Sequence, residues 1–495
     1  MLPSTNNQLP PIDWESLATE YSQKRGSERV CEIGGKYQVS RDNSPQLPTS
    51  LQLRPYQIQA VTNWFRNQGR GTLKMATGSG KTIAALAIAT ELYHKIGLEV
   101  LLVICPYRHL VTQWQRECQK FNLQPILAFE RVTNWQNQLS TQLYNVRAGS
   151  QSFVSIIASN GTLITQGFQS QLKFFPAKTL IVGDEAHNLG SQRLEASLPR
   201  NIGLRLALSA TPERYFDEEG TDELFNYFGA VLQPEFTLAD AINQGALVPY
   251  LYYPIFVTLT ASESLSYAKL TKRIGWALQK SEDWQNNALL TSLLMQRSRL
   301  IGAAANKLIA LRQLMATRLD TSHTLFYCGD GWVEGNASNE ETKRQLAAVT
   351  KILGAELGYR VNSYTADTPL KVREELRQQF ERGELQGLVA IHCLDEGVDI
   401  PAIKHAIILA STANPRQFIQ RRGRILRPHP GKERATLFDT IVMPPDLARE
   451  AWEVEKNLLQ KELKRFLEFA VLAENASEAR GKLLYLQERY GLELQ

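Results

Sequence analysis

Short apolar runs and stretches of helical periodicity alternate along the chain. Between residues 51 and 235 the runs fall at 100–105, 153–158, 179–183 and 204–209. Such alternation predicts a parallel sheet covered by helices on both faces. A second series follows at 324–328, 359–364, 387–393, 405–410 and 434–441, which predicts a second α/β domain in tandem. Between the two series, Leu289, Leu293, Leu300, Ala304, Leu308, Leu311 and Met315 recur at steps of three, four or seven, a helical stripe that reads as an ordinary packing face. The expected order is therefore an N-terminal extension of unassigned role (1–50), a first α/β domain (51–235), a helical connector (236–322), a second α/β domain (323–445) and a helical tail (446–495). In the extension, 13–24 suits a short helix, 30–39 a strand and 43–50 a linker.

Composition changes this picture little. At roughly 100–200 residues per domain, 495 residues suggest about three domains. A 43% hydrophobic and 21% charged content is ordinary for a globular protein, and a net charge of +5 permits a polyanionic partner without demanding one. The five cysteines, Cys31, Cys105, Cys118, Cys328 and Cys393, form no CxxC pair. Neither a disulfide framework nor a zinc site is indicated, and a reducing cytoplasm fits. Met1 to Pro11 lacks the pattern of a signal peptide, and no apolar run reaches the ~18 residues of a membrane span.

The chemistry concentrates in two places. Residues 76–82 read Ala-Thr-Gly-Ser-Gly-Lys-Thr, between an apolar segment and a helix-forming run. A loop there aims backbone N–H groups at phosphates, helped by the positive end of the following helix. Thr77, Gly78, Ser79 and Gly80 form the cradle, Lys81 reaches the β- and γ-phosphates of ATP, and the Thr82 hydroxyl ligates Mg²⁺. The second place is Asp184-Glu185-Ala186-His187, directly after an apolar run. Carboxylates at a strand's C-terminal end stand at the mouth of an α/β sheet. Asp184 is the candidate Mg²⁺ ligand, Glu185 the base for the attacking water, and His187 the sensor of the γ-phosphate.

Further motifs give these two a context. Arg54-Pro55-Tyr56-Gln57 resembles an adenine-reading motif, and 105–114 a first nucleic-acid contact. Ser209-Ala210-Thr211 resembles a segment coupling hydrolysis to movement, and 394–401, with Gly397 and Asp399, a fifth motif. Gln420-Arg421-Arg422-Gly423-Arg424-Ile425-Leu426-Arg427 resembles the QxxGRxxR sixth motif. With Met75 where a general phosphate loop has glycine, the set resembles a superfamily 2 DEAH-box helicase over about 51–445. That resemblance implies two RecA-like domains, ATP hydrolysis between them, and Arg424 and Arg427 as arginine fingers. Such a finger contributes about 10³–10⁵ in rate. Arg421 and Arg422 read instead as backbone contacts or salt-bridge formers. The resemblance implies that Gln57, Gly397 and Asp399 serve the nucleotide, and His187, Ser209, Thr211 and Gln420 the coupling.

The sequence is closer to DNA-acting relatives than to RNA-type DEAD-box proteins. Those relatives are the motor subunits of restriction enzymes, the xeroderma-pigmentosum-B-type repair helicases and the excision-repair damage-loading subunit. No Asp…Glu-x-Lys nuclease pattern stands in the tail, so no endonuclease site is expected there; a partner subunit could supply one, which leaves roles in restriction or phage defence open beside DNA repair. An RNA helicase and an ATP-gated DNA-binding scaffold are the alternatives.

Overall fold

The computed structural model describes residues 12–26, 43–214, 217–280, 288–329, 332–333, 343–365, 368–391, 400–410, 415–445 and 449–492. The chain divides into two compact units, Met1–Ala241 and Ile242–Gln495.

The first unit is built on a six-stranded parallel sheet of β1 (Arg70–Lys74), β2 (Val100–Cys105), β3 (Ile126–Ala128), β4 (Val154–Ser159), β5 (Thr179–Asp184) and β6 (Leu204–Ser209), in the order β1-β6-β5-β2-β4-β3. All six residues of β2, β5 and β6 are buried. Strands covered on both faces can do without a polar side, which is why they read as largely apolar runs, interrupted by Arg205 in β6 and ending on Asp184 in β5. Helix α1 (Trp14–Gly26), in the predicted 13–24 region, packs on α2 (Pro55–Arg66). Trp14 stands edge-on to Trp64 at 6.3 Å and Tyr21 to Phe65 at 5.7 Å. The strand expected at 30–39 lies outside the described residues.

The second unit holds another six-stranded parallel sheet, of β7 (Tyr250–Thr258), β8 (Thr324–Tyr327), β9 (Val361–Tyr364), β10 (Gly387–Ala390), β11 (His405–Ile408) and β12 (Ala435–Met443). Its order is β9-β10-β8-β11-β12-β7. Strand β7 corrects the expectation of an all-helical connector at 236–322. It pairs along its whole length with β12, from Ala435↔Tyr250 to Met443↔Thr258. Its residues, Tyr-Leu-Tyr-Tyr-Pro-Ile-Phe-Val-Thr, are aromatic and β-branched. Pro254 obscures the strand in the sequence, and the structure tolerates it because β7 is an edge. The remainder of that span is helical: α6 (Ala261–Lys280), α7 (Ala288–Gly302) and α8 (Asn306–Ala316) follow α5 (Glu218–Phe228) of the first unit. The predicted stripe breaks at 303–305 into two helices. Leu293, Ala304, Leu311 and Met315 are buried, whereas Leu289 is 53% exposed.

The tail is helical, as expected. After α9 (Pro415–Ile425) come α10 (Arg449–Val471) and α11 (Ala476–Tyr490). The link between these last two seals the edge strand. Asn475 accepts the Tyr252 N–H at 2.9 Å and donates to the Tyr252 carbonyl at 3.0 Å, and the Tyr250 hydroxyl donates to the Phe469 carbonyl at 2.6 Å. Backbone groups at Tyr252, and the Tyr250 carbonyl, which accepts the Glu474 N–H at 2.8 Å, thus find partners on the open edge. No helix among the described residues is long and apolar enough to cross a membrane.

Candidate functional site

Because every strand of the first sheet is parallel, all its C-terminal ends open on one edge. The order places β6 between β1 and β5, with Lys74 opposite Ser209 and Leu208 opposite Asp184. The loop after β1, the acidic box after β5 and the Ser-Ala-Thr segment after β6 are therefore neighbours, although 135 residues separate Lys74 from Ser209 in sequence (209 − 74).

The phosphate loop turns through Gly78 and Gly80, at φ +87° and +84°, and delivers Lys81 as the first residue of α3 (Lys81–Ile96), with Thr82 next. Lys81 Nζ donates to the Met75 carbonyl at 3.0 Å and the Ala76 carbonyl at 3.4 Å. The Thr77 and Ser79 hydroxyls are buried without a partner. Buried hydroxyls normally find one. Two that do not, beside a lysine and a helix N-terminus, fit the oxygens of a phosphate. Gln57 lies against the same loop: its Nε2 donates to the Ser79 and Gly80 carbonyls at 3.3 and 3.4 Å, and its Oε1 accepts the Arg54 N–H at 2.9 Å. Tyr56 donates to the Ser79 carbonyl at 2.8 Å and stacks on Phe236 at 3.8 Å. The adenine-reading candidate thus contacts the phosphate loop directly.

Asp184 ends β5. Its Oδ1 accepts the Glu185 N–H at 3.0 Å and its Oδ2 accepts the Trp114 indole N–H at 2.8 Å. Burial, with the Glu185 charge adding, pushes its carboxyl up to about 6, against the pull of Trp114 and Lys81. Glu185 takes a left-handed conformation at φ +43°, which L-residues adopt at a cost of about 1–3 kcal/mol and which clusters at functional sites. At Gly183, two residues earlier, a Cβ would stand 2.8 Å from Leu189 and Phe228 side-chain carbons, so a larger residue there would have to displace them. His187 joins the box to the next segment. Its Nδ1 lies 3.3 Å from Ser209 Oγ and 3.7 Å from Glu185 Oε2, and Ser209 Oγ also accepts the Thr211 N–H at 3.1 Å.

Arg214 escaped the sequence reading, and Trp114 was read only as the end of the nucleic-acid-contact motif at 105–114, without its bond to Asp184. Arg214 donates to the His187 carbonyl and pairs with Asp217 at 2.7 Å, bracing the histidine from behind. Its only signal was its place three residues after Thr211. Trp114 sits on the buried stripe of α4 (Arg108–Lys120), where a tryptophan looks like core.

In the second unit, α9 buries Gln420, Arg421, Arg422 and Arg424, while Arg427 just beyond is partly buried. Arg421 donates to the Ala410 carbonyl at 3.3 Å and lies over Tyr327. Arg422 pairs with Glu468 of α10 at 3.0 Å and lies over Phe469. Arg422 thus forms an ion pair within its own unit, and Arg421 a bond to a main-chain carbonyl. Lys432 gathers three carbonyls, of Pro401 (3.1 Å), Ile425 (2.6 Å) and Arg427 (2.8 Å), and so holds the end of the Arg424–Arg427 segment. Burial pushes its ammonium down to about 7, with Arg427 and Lys404 adding to the effect. Gly397 and Asp399 lie outside the described residues.

Residues 50–214 match the family model "Type III restriction enzyme, res subunit", and 339–429 match "Helicase conserved C-terminal domain". The chain is 27% identical to the DNA 3'-5' translocase XPB2 of Sulfurisphaera tokodaii, covering 80% of this chain and 83% of that protein. Among solved structures it resembles the Hef helicase domain of Pyrococcus furiosus (TM-score 0.50, 17% identity, 80% of this chain and 97% of that one). It also resembles the ATP-dependent Type ISP restriction-modification enzyme LlaBIII bound to DNA (TM-score 0.53, 18% identity). That match covers 85% of this chain and only 30% of that enzyme. At these identities the two structures speak for the fold: tandem RecA-like domains.

Proposed function

We propose that this chain, which carries a superfamily 2 helicase core like that of XPB-type proteins and restriction subunits, is an ATP-dependent DNA helicase or translocase. One observation carries the catalytic half. Two partnerless buried hydroxyls and Lys81 line a phosphate loop beside Asp184–Glu185, on the open edge of a parallel sheet. DNA as the track is supported by the likeness to a DNA 3'-5' translocase.

In this reading the loop amides and Lys81 bind the β- and γ-phosphates. Thr82 and Asp184 hold Mg²⁺, which supplies charge neutralisation on the phosphate oxygens. Glu185, held in a left-handed backbone conformation, takes the proton of the attacking water. His187 relays the state of the box to Ser209 and Thr211 through its ring nitrogen. Gln57 reads adenine. Gln420, Arg424 and Arg427 respond to the γ-phosphate, with Arg424 supplying charge in the transition state; Gly397 and Asp399 belong to the same nucleotide-facing set. Buried, unpaired Cys105, Cys118 and Cys328 suit a cytoplasmic setting. Strand cleavage in a restriction or repair setting falls to a partner protein.

The test compares ATPase stimulation by single-stranded, duplex and forked DNA and by RNA on one preparation. Stimulation by DNA well above that by RNA is expected. Stimulation by RNA alone would make the chain an RNA motor, and DNA binding without stimulated turnover would make it a scaffold.

A further inference from the structure

The hydrogen bond from Trp114 to Asp184 joins two parts of the first unit that have separate tasks. Helix α4 begins where the loop after β2 turns outward, and at that turn Tyr107 is 37% exposed and the Arg108 side chain 71% exposed. Tyr107 stacks on the His109 ring at 5.5 Å. From this exposed aromatic and basic end, α4 runs inward on a buried stripe of Leu110, Val111, Trp114 and Cys118. Trp114 lies six residues past Arg108, about 9 Å along the axis at 1.5 Å per residue.

An apolar stripe needs no donor. A buried indole N–H does need an acceptor, and this one has taken a carboxylate oxygen rather than a backbone carbonyl. Trp114 is 1% exposed and Asp184 8%, so water does not compete for the bond. Asp184 Oδ1 is tied to the Glu185 N–H; Trp114 is the tether on the other oxygen. With both oxygens tied, the plane of the carboxylate follows the position of α4.

We propose that Trp114 is a positioning residue: it orients the Asp184 carboxylate for the nucleotide-bound divalent cation and transmits displacement of α4, caused by a nucleic-acid strand pressing on Tyr107 and Arg108, to that carboxylate. The proposal rests on the ATPase reading above and adds a physical route by which the track stimulates turnover.

Trp114→Phe keeps an aromatic ring but removes the donor together with the five-membered ring that carries it, so benzothienylalanine at position 114, which removes the N–H alone, is measured beside it. Two quantities are measured on the full chain: the affinity for a fluorescent ADP analogue with Mg²⁺ and with EDTA, and the ratio of DNA-stimulated to basal ATPase. Loss of an outer-shell partner typically lowers metal affinity about 10–100-fold. The Mg²⁺-dependent gain in ADP affinity should therefore fall roughly tenfold or more, with the EDTA value unchanged and the DNA stimulation ratio reduced. If Trp114→Phe folds poorly, the benzothienylalanine variant carries the test. A folded variant with the parent's Mg²⁺ gain overturns the positioning role. A reduced Mg²⁺ gain with full DNA stimulation overturns the coupling. A lower melting temperature with both ratios intact makes Trp114 a packing residue and overturns both. The parent chain runs in parallel: absence of DNA stimulation there sinks the motor reading itself, an outcome distinct from all three.

Discussion

Gly80→Ala tests whether the phosphate loop and the Gln57 amide form one device. Gly80 has φ +84°, and a Cβ there would stand 2.4 Å from Gln57 Nε2. Two costs follow. An alanine held in the left-handed region costs about 1–2 kcal/mol. The clash falls on the far end of a flexible side chain, so it is relieved by swinging the Gln57 amide away. That breaks its contacts to the Ser79 and Gly80 carbonyls and to the Arg54 N–H. The two longer bonds are weak, so the amide's share is about 1–2 kcal/mol. The sum, about 2–4 kcal/mol, corresponds to roughly 30- to 1000-fold in the population of the competent loop. The cost is local, so the expected signature is weaker ATP binding with a modest change in melting temperature. Titration with a fluorescent ATP analogue measures it in the parent and in a Gln57→Ala background. In that background the clash is gone, and Gly80→Ala should cost only the backbone share. An equal cost in both backgrounds would refute the coupling of loop and amide, and parent-like affinity in the single variant would refute the loop assignment altogether.

Three further outcomes follow from the same geometry. Glu185→Gln keeps the hydrogen bonds but cannot accept a proton; hydrolysis should slow by about 10²–10⁴ with ATP binding retained, and turnover within a few-fold of the parent would remove Glu185 as the base. Arg424→Ala should leave ATP affinity, set by Lys81 and the loop amides, close to the parent while kcat and DNA stimulation fall by about 10³ or more; a destabilised but fully stimulable enzyme would instead make Arg424 a salt-bridge former. Asp184 gives a pH signature. Its folded value near 6 lies above the unfolded carboxylate's, at about 4, so the folded state binds more protons in that window. Its contribution to stability is therefore present below about pH 4 and lost as pH rises through about 6. Melting curves across that range, without nucleotide or divalent cation, should show the parent losing stability relative to Asp184→Asn; parallel melting curves would refute the shift.

Much of this was legible in the sequence because it is written locally. Strands buried on both faces are mostly apolar, so β2, β5 and β6 stood out as runs despite Arg205 in β6. A loop that cradles phosphate needs small residues, a lysine and a helix start within seven positions, so 76–82 was readable as chemistry. The tertiary structure decided the rest. Strand β7 was hidden because its partner β12 lies 185 residues later (435 − 250) and its Pro254 is acceptable only on an edge. The division of labour among four arginines of one segment depended on which found a carboxylate on another helix, as Arg422 found Glu468. Trp114 on its buried stripe is indistinguishable from core until the fold brings Asp184 within 2.8 Å of its N–H. Periodicity records which face of an element is buried; it carries no information about which polar atom waits on the other side, because that atom comes from a different stretch of chain.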